Sequence, residues 1–217
     1  MFFVWMILHG SIALLARYLA QWTPWATPLG LFISTATLVA WLLIKGKGTA
    51  VGLQKAQPYR FKERLPFLLL LLPVVYNLVS GSGSLPGWLT ICTVCLGAIL
   101  EEVVFRGVIL HFLRPRGNVL AILVSAALFA FAHVFNQGGA DPYQIIFAFA
   151  AGLAFAGLTL CSGSLFPAME VHLLINITAG NRNPAYLWLF LVSIAAYLFC
   201  GTYSMFLLNN ANSSRKG

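Results

Sequence analysis

Eight apolar stretches follow one another along this chain of 217 residues, with only short polar segments between most of them. They are Phe2 to Gln21, Leu29 to Ile44, Leu65 to Val79, Trp88 to Leu113, Val119 to Phe135, Tyr143 to Cys161, Leu165 to Ala179 and Ala185 to Leu208. Several are close to the roughly 17 to 25 residues that a helix needs to cross a bilayer. Hydrophobic residues make up 60% of the sequence and charged residues 8%, which is not typical of a soluble domain. Because the third and seventh stretches are short, we predict an all-α, polytopic bundle of about eight transmembrane helices, with seven to nine as the range.

The basic residues are concentrated in three polar segments, and with eight spans these segments share one side of the membrane. Six lie in the loop from Lys45 to Arg64, two more are Arg114 and Arg116, and two are at positions 215–216. The positive-inside rule then predicts that both termini are cytoplasmic. The net charge of +8 accordingly indicates topology and contact with lipid headgroups rather than with nucleic acid. We expect a multi-pass protein of a cell membrane, specifically a bacterial cytoplasmic membrane.

No segment is long and polar enough to separate two domains, so we predict a single membrane-embedded domain over residues 1–217, with its motifs in a core at 88–180. In the sixth stretch Ala148, Gly152 and Ala156 recur every fourth residue. Small residues at this spacing form a seam that allows the backbones of two membrane helices to approach closely.

The fourth stretch carries three ionisable residues near its centre, Glu101, Glu102 and Arg106. Each costs about 2.5 to 3.5 kcal/mol at the centre of a membrane helix, so the three need partners, protonation or water. Glu102 and Arg106 are four residues apart, lie on one helical face and can form an ion pair. Glu101 lies about 100° round the helix from Glu102 and is expected to face other groups.

Two later stretches offer polar side chains at a similar depth. Counting about 1.5 Å per residue from the cytoplasmic ends puts Glu101 about 18 Å deep, His133 about 21 Å, His172 about 12 Å and Asn176 about 18 Å. His172 and Asn176 are also four residues apart and project from one face. A carboxylate beside an imidazole can take a proton from water, and two hydrogen-bond donors can stabilise the oxyanion that forms when this water attacks an amide.

Three motifs now stand in order along the chain: EExxxR at 101–106, FxxxH at 129–133 and HxxxN at 172–176. Together they resemble the CPBP family of intramembrane proteases, which includes the CAAX prenyl-protein endopeptidases and the bacterial Abi proteins linked to bacteriocin processing and self-immunity. The resemblance implies an intramembrane endopeptidase. The catalytic residues that it implies are Glu101, Glu102, Arg106, His133, His172 and Asn176.

The resemblance also implies a role for each residue. The first glutamate of the pair would activate a water molecule, with His133 assisting as its partner. The second glutamate and Arg106 would brace the site, Phe129 would pack beside it, and His172 with Asn176 would stabilise the oxyanion. The substrate would be a peptide or lipidated protein in contact with membrane lipids. A prenylated CAAX protein, a bacteriocin leader and a signalling peptide all remain open, as does the oligomeric state.

Two further questions stay open in the sequence. The reaction needs no cofactor, or it uses a divalent metal such as zinc, for which Glu101, His133 and His172 would leave the fourth position to water. The chain could also be a non-catalytic immunity or scaffold protein, or an ion pathway built from Glu and His. No duplicated half of the kind common in transporters is visible. Glu170 has no assigned role, because it points about 200° away from His172.

Overall fold

The regular structure is entirely helical in the part of the chain that the computed structural model describes, which comprises residues 2–56, 65–81, 86–135, 141–179 and 184–213. Eight α-helices of nine residues or more are present within these ranges. They are α1 (Phe2–Leu19), α2 (Ala26–Ile44), α3 (Leu72–Ser80), α4 (Trp88–Glu102), α5 (Asn118–Ala132), α6 (Pro142–Ser162), α7 (Phe166–Thr178) and α8 (Leu187–Ser213). The predicted all-α class is confirmed, and each helix falls on one of the eight apolar stretches.

Four of the helical segments are long and apolar enough to cross a membrane. They are Ala26–Ile44, Trp88–Arg116, Pro142–Ser162 and Leu187–Ala211. Shorter apolar helices run over Val4–Leu19, Leu65–Ser80 and Asn118–Ala132. The chain is therefore a multi-pass membrane protein, as its hydropathy predicts. The cytoplasmic position of the termini continues to rest on the positive-inside rule.

Helix α6 lies at the centre of the bundle, and most of its residues are buried. It packs against α5 on one side and α8 on the other. A Cβ atom added at Gly152 would lie 2.7 Å from Ala126 Cα on α5, and one added at Gly201 of α8 would lie 2.7 Å from Leu153 Cβ. The small-residue seam predicted on α6 is thus buried, and the backbones meet there without intervening side chains.

Substitution by alanine should have opposite effects on stability at two glycines, one packed between α5 and α6 and the other unpacked in α4. Gly152→Ala should destabilise the fold by about 1–3 kcal/mol, because the added methyl group overpacks the seam. Gly97 in α4 has no atom within 4 Å of an added Cβ, so Gly97→Ala should stabilise it by about 0.5–1 kcal/mol. Thermal unfolding of the purified proteins in detergent measures both effects. Equal shifts for the two variants would contradict the packing argument.

Helix α4 continues without a break but changes its winding immediately after the glutamate pair. A π-helix covers Val103–Ile109 and is followed by an α-turn at Leu110–Leu113 and a 3₁₀ turn at Arg114–Arg116. π-Helical segments are rare and are held by hydrogen bonds between residues i and i+5. They occur frequently at functional sites. Ser125 Oγ of α5 donates to Phe105 O at 2.9 Å. This bond ties the π-helical segment to its neighbour.

The polar segment that follows α2 is fastened to the turn between α6 and α7. Leu165 N donates to Gly52 O at 2.9 Å. Gln54 Nε2 donates to Gly163 O at 2.9 Å, and Ser164 Oγ donates to Gln54 O at 2.6 Å. These bonds hold residues 49–54 against the end of α6. The remainder of that basic loop, from 57 to 64, lies outside the described residues.

Candidate active site

Glu102 is the last residue of α4, and its carboxylate joins two other helical segments. Its Oε1 atom lies 3.3 Å from Arg106 Nη1, which is the ion pair that the spacing predicts. The same oxygen lies 2.8 Å from His172 Nδ1 of α7. Because an ionised carboxylate can only accept, the proton of this bond belongs to His172 Nδ1. Glu102 thereby fixes the tautomer and the orientation of the imidazole, as a buried carboxylate does in a catalytic triad.

Glu101 approaches the same imidazole from its other side. Its Oε2 atom lies 3.7 Å from His172 Nε2. The Glu101 side chain is 37% exposed, whereas that of Glu102 is 0% exposed. The two neighbouring carboxylates therefore differ in exposure at the protein surface although they share one partner. The spacing of the sequence predicts that Glu101 faces away from the Glu102–Arg106 pair. It does not indicate that His172 bonds to Glu102, because the spacing along one helix carries no information on how α7 is rotated relative to α4.

Arg106 lies in the π-helical segment and is buried between aromatic rings. Its guanidinium carbon lies 4.0 Å from the centre of the Phe129 ring and 5.5 Å from that of Phe155. A cation over an aromatic face is stabilised by the ring quadrupole. None of the three guanidinium nitrogens meets hydrogen-bond geometry with a described residue, despite the proximity of Glu102. The charge of Arg106 is thus balanced, but its five N–H donors are not fully used.

The end of α5 brings Phe129 and His133 to the same region. The Phe129 ring centre lies 4.6 Å from that of His133 and 5.9 Å from that of His172. His133 Nδ1 lies 2.8 Å from Phe129 O, and a carbonyl can only accept, so Nδ1 carries the proton. In a neutral imidazole this leaves Nε2 of His133 unprotonated and able to act as a base.

A cavity of about 100 Å³ lies among these groups. Its lining includes Phe129, His133, Gln144, Phe155, His172 and Asn176. Three of the predicted polar residues, His133, His172 and Asn176, therefore face one space that can hold a few water molecules. Glu101 is not part of this lining and reaches the site through its 3.7 Å approach to His172. Gln144 is absent from the sequence motifs, and its only signal is a polar side chain in the first turn of an apolar helix.

The described residues do not provide a ligand set for a metal. No group of three or more His, Cys, Asp or Glu side chains in that part of the chain is arranged to hold a metal ion. The three metal ligands that the sequence suggests are Glu101, His133 and His172. Zinc sites in enzymes use three protein ligands and a water molecule, so these residues do not fit such a site.

Residues 83–178 match the family model of type II CAAX prenyl endopeptidase Rce1-like proteins. The match supports an assignment of the chain to the CPBP family of intramembrane proteases. The CPBP match contains all three sequence motifs and ends at the last residue of α7. It spans α4 to α7, which are the helices that supply the residues of the site. No curated protein and no solved structure matches the chain.

The match supports a membrane-embedded protease of the CAAX type in general terms. It agrees with the position of the site, because the paired glutamates, Arg106 and His172 all lie within apolar helices. Ionisable residues inside a membrane are costly and mark function by default.

Proposed function

We propose that this CPBP protein is a CAAX-type endopeptidase in which Glu101 activates a water molecule to cleave a peptide bond. The observation that carries the proposal is the placement of His172 between two carboxylates, 2.8 Å from Glu102 and 3.7 Å from Glu101. One of these carboxylates is accessible and the other is enclosed, which suits the first to proton transfer and the second to positioning.

In the proposed reaction the Glu101 carboxylate takes a proton from water as the water oxygen bonds to the peptide carbonyl carbon. His133 Nε2 accepts a hydrogen bond from the second proton of this water, which stays on the attacking oxygen and becomes part of the new carboxyl group. The carbonyl π electrons move onto the oxygen, and the resulting oxyanion accepts hydrogen bonds from His172 Nε2–H and the Asn176 amide. The carbonyl then re-forms, the C–N bond breaks, and the proton held by Glu101 passes to the leaving amine.

His172 must carry protons on both nitrogens for this role. Nδ1–H donates to Glu102 Oε1 at 2.8 Å, and Nε2–H, 3.7 Å from Glu101 Oε2, is left to donate to the oxyanion. Arg106 holds Glu102 in place through its 3.3 Å ion pair. Glu102 and Arg106 therefore act as positioning residues.

The proposed substrate is the carboxy-terminal CAAX segment of a lipidated protein. The test uses the purified full chain in lipid vesicles with a prenylated CAAX peptide, and we expect release of the three terminal residues. The same peptide without the prenyl group and a leader-type peptide of equal length serve as comparisons. Preferred cleavage of the leader peptide would contradict the CAAX assignment, and cleavage of no peptide by folded protein would contradict the enzyme assignment.

Removal of metal ions should leave the activity of the purified protein unchanged within about twofold, because the described residues form no three-ligand set. The measurement compares cleavage rates before and after dialysis against a strong chelator. A loss of activity that Zn²⁺ restores would show that the proposed metal-free mechanism is wrong.

A further inference from the structure

A second pocket, larger than the proposed catalytic cavity and lined by other residues, includes Arg106 in its wall. Its volume is about 390 Å³, and it opens between the end of α6, residues 49–54 and the end of the continuous helical segment Trp88–Arg116, which begins with α4 and is called the α4 rod. Arg106 and Thr159 contribute to its lining, together with His111 and Arg114 of the α4 rod. The three backbone and side-chain bonds that fasten residues 49–54 to the α6–α7 turn hold this wall in place.

Two buried polar groups of this pocket have no hydrogen-bond partner among the described residues. Arg106 is 2% exposed, and none of its guanidinium nitrogens forms a hydrogen bond with a described residue, although Nη1 is ion-paired with Glu102. Thr159 is 5% exposed, and its Oγ1 forms no hydrogen bond with a described residue. Buried polar groups in folded proteins are nearly always paired, so unpaired ones indicate water or a ligand that the protein itself does not supply. Both groups line the same pocket.

The charge of the pocket favours an anion. Among the described lining residues the basic ones are Arg106, His111 and Arg114, and none of the described lining residues carries a carboxylate. Arg106 keeps unused N–H donors after its pairing with Glu102, and the exposed Arg114 adds a second guanidinium. Phosphate is well matched to this arrangement, because its several oxygens can accept charge-assisted hydrogen bonds from more than one arginine.

An apolar groove of about 310 Å³ adjoins the polar pocket and shares Cys161 and Ser162 with it. Phe67, Leu71 and Leu158 contribute to its lining, and Glu170 is the one charged residue among its described lining. A polar, basic pocket that continues into an apolar groove matches a ligand with an anionic headgroup and a hydrocarbon chain.

We propose that the pocket binds the phosphate group of an anionic phospholipid, with an acyl chain of the lipid in the adjoining groove. Basic pockets between membrane helices on the cytoplasmic side are suited to such headgroups. The bound phosphate contacts the same guanidinium that holds Glu102, so the lipid supports the residue that orients His172. This site does not depend on the proposed reaction, since binding is measurable without cleavage.

The first test compares two neighbouring arginines that differ in position relative to the pocket. Arg114 lines the pocket, whereas Arg116 lies in the same turn, is equally exposed and is not part of the lining. The rise in Tm on titrating phosphatidylglycerol into the purified full chain in detergent reports binding, with phosphatidylcholine as reference. Arg114→Gln should weaken the binding of phosphatidylglycerol about tenfold, as expected for the loss of one charge-assisted hydrogen bond, and Arg116→Gln should change it less than about twofold.

A second variant tests the buried wall of the pocket. Thr159→Val keeps the shape of the side chain and removes the unpaired hydroxyl, so the lipid-free Tm should stay level or rise while binding of phosphatidylglycerol weakens. Inorganic phosphate at matched ionic strength should stabilise the protein less than the lipid does. Equal weakening by Arg114→Gln and Arg116→Gln would overturn the proposal in favour of diffuse surface attraction. Equal stabilisation by inorganic phosphate would overturn the assignment to a lipid.

Discussion

Glu101→Gln is expected to lower kcat for peptide cleavage by about 10²- to 10⁴-fold, the usual contribution of a general base. The amide has the same shape as the carboxylate but cannot take a proton from water. Of the two glutamates, Glu101 is the one that is exposed at the protein surface, and it lies 3.7 Å from His172 Nε2. Steady-state cleavage in vesicles gives kcat and KM for both proteins, and KM should change little because the substitution leaves the cavity lining intact.

A matched control for this experiment is Glu170→Gln. Glu170 is also a carboxylate in an apolar helix, but it lines the apolar groove and not the catalytic cavity. This variant should retain wild-type kcat within about twofold, since proton transfer at the site does not involve it. If Glu101→Gln kept comparable activity, the glutamate mechanism would be untenable. A Tm equal to that of the wild type shows that any loss is chemical rather than a folding defect.

The second large effect concerns the stability of the buried ion pair. Glu102→Leu should cost about 3–5 kcal/mol, because it leaves the Arg106 charge buried without a counter-ion. The substitution also removes the acceptor of His172 Nδ1. Arg106→Leu should cost a similar amount by leaving Glu102 uncompensated. The free energy of unfolding of each variant in detergent, measured with denaturant, gives these values.

The double variant Glu102→Leu/Arg106→Leu separates the ion pair from other effects. Replacing both partners of a buried pair by apolar residues is often close to neutral, so the double variant should recover most of the lost stability. It should remain inactive, because His172 has lost the carboxylate that orients it. Additive costs of the two single substitutions would show that Glu102 and Arg106 do not act as a pair.

Local periodicity explains what the sequence predicts correctly. The eight apolar stretches give the helices, since a membrane helix must satisfy its backbone hydrogen bonds within itself and must be apolar over its length. The Glu102–Arg106 pair follows from a four-residue spacing along one helix. The small residues on α6 mark the seam, because Gly152 leaves no side chain between α6 and Ala126 of α5.

Contacts between helices could not be predicted in this way. They depend on how each helix is rotated about its own axis relative to its neighbours, which the residue pattern of one helix does not determine. The bond from His172 to Glu102 joins residues 70 positions apart. Gln144 reaches the cavity because the first turn of α6 lies beside α5, and nothing in its neighbours along the chain indicates this. The basic pocket that Arg106 lines exists because residues 49–54 fold onto the α6–α7 turn. In the sequence these residues are only part of a polar loop.

The π-helical segment at Val103–Ile109 sets the angular register between the two halves of the α4 rod. Deleting one residue there would return the rod to regular α-helix and turn everything beyond it by about 100° relative to the glutamates. Glu101 and Glu102 could then face α7, or His111 and Arg114 could face residues 49–54, but one continuous α-helix would not satisfy both. The wider winding of the π-helical segment allows one helix to place its carboxylates beside α7 and its basic residues beside residues 49–54.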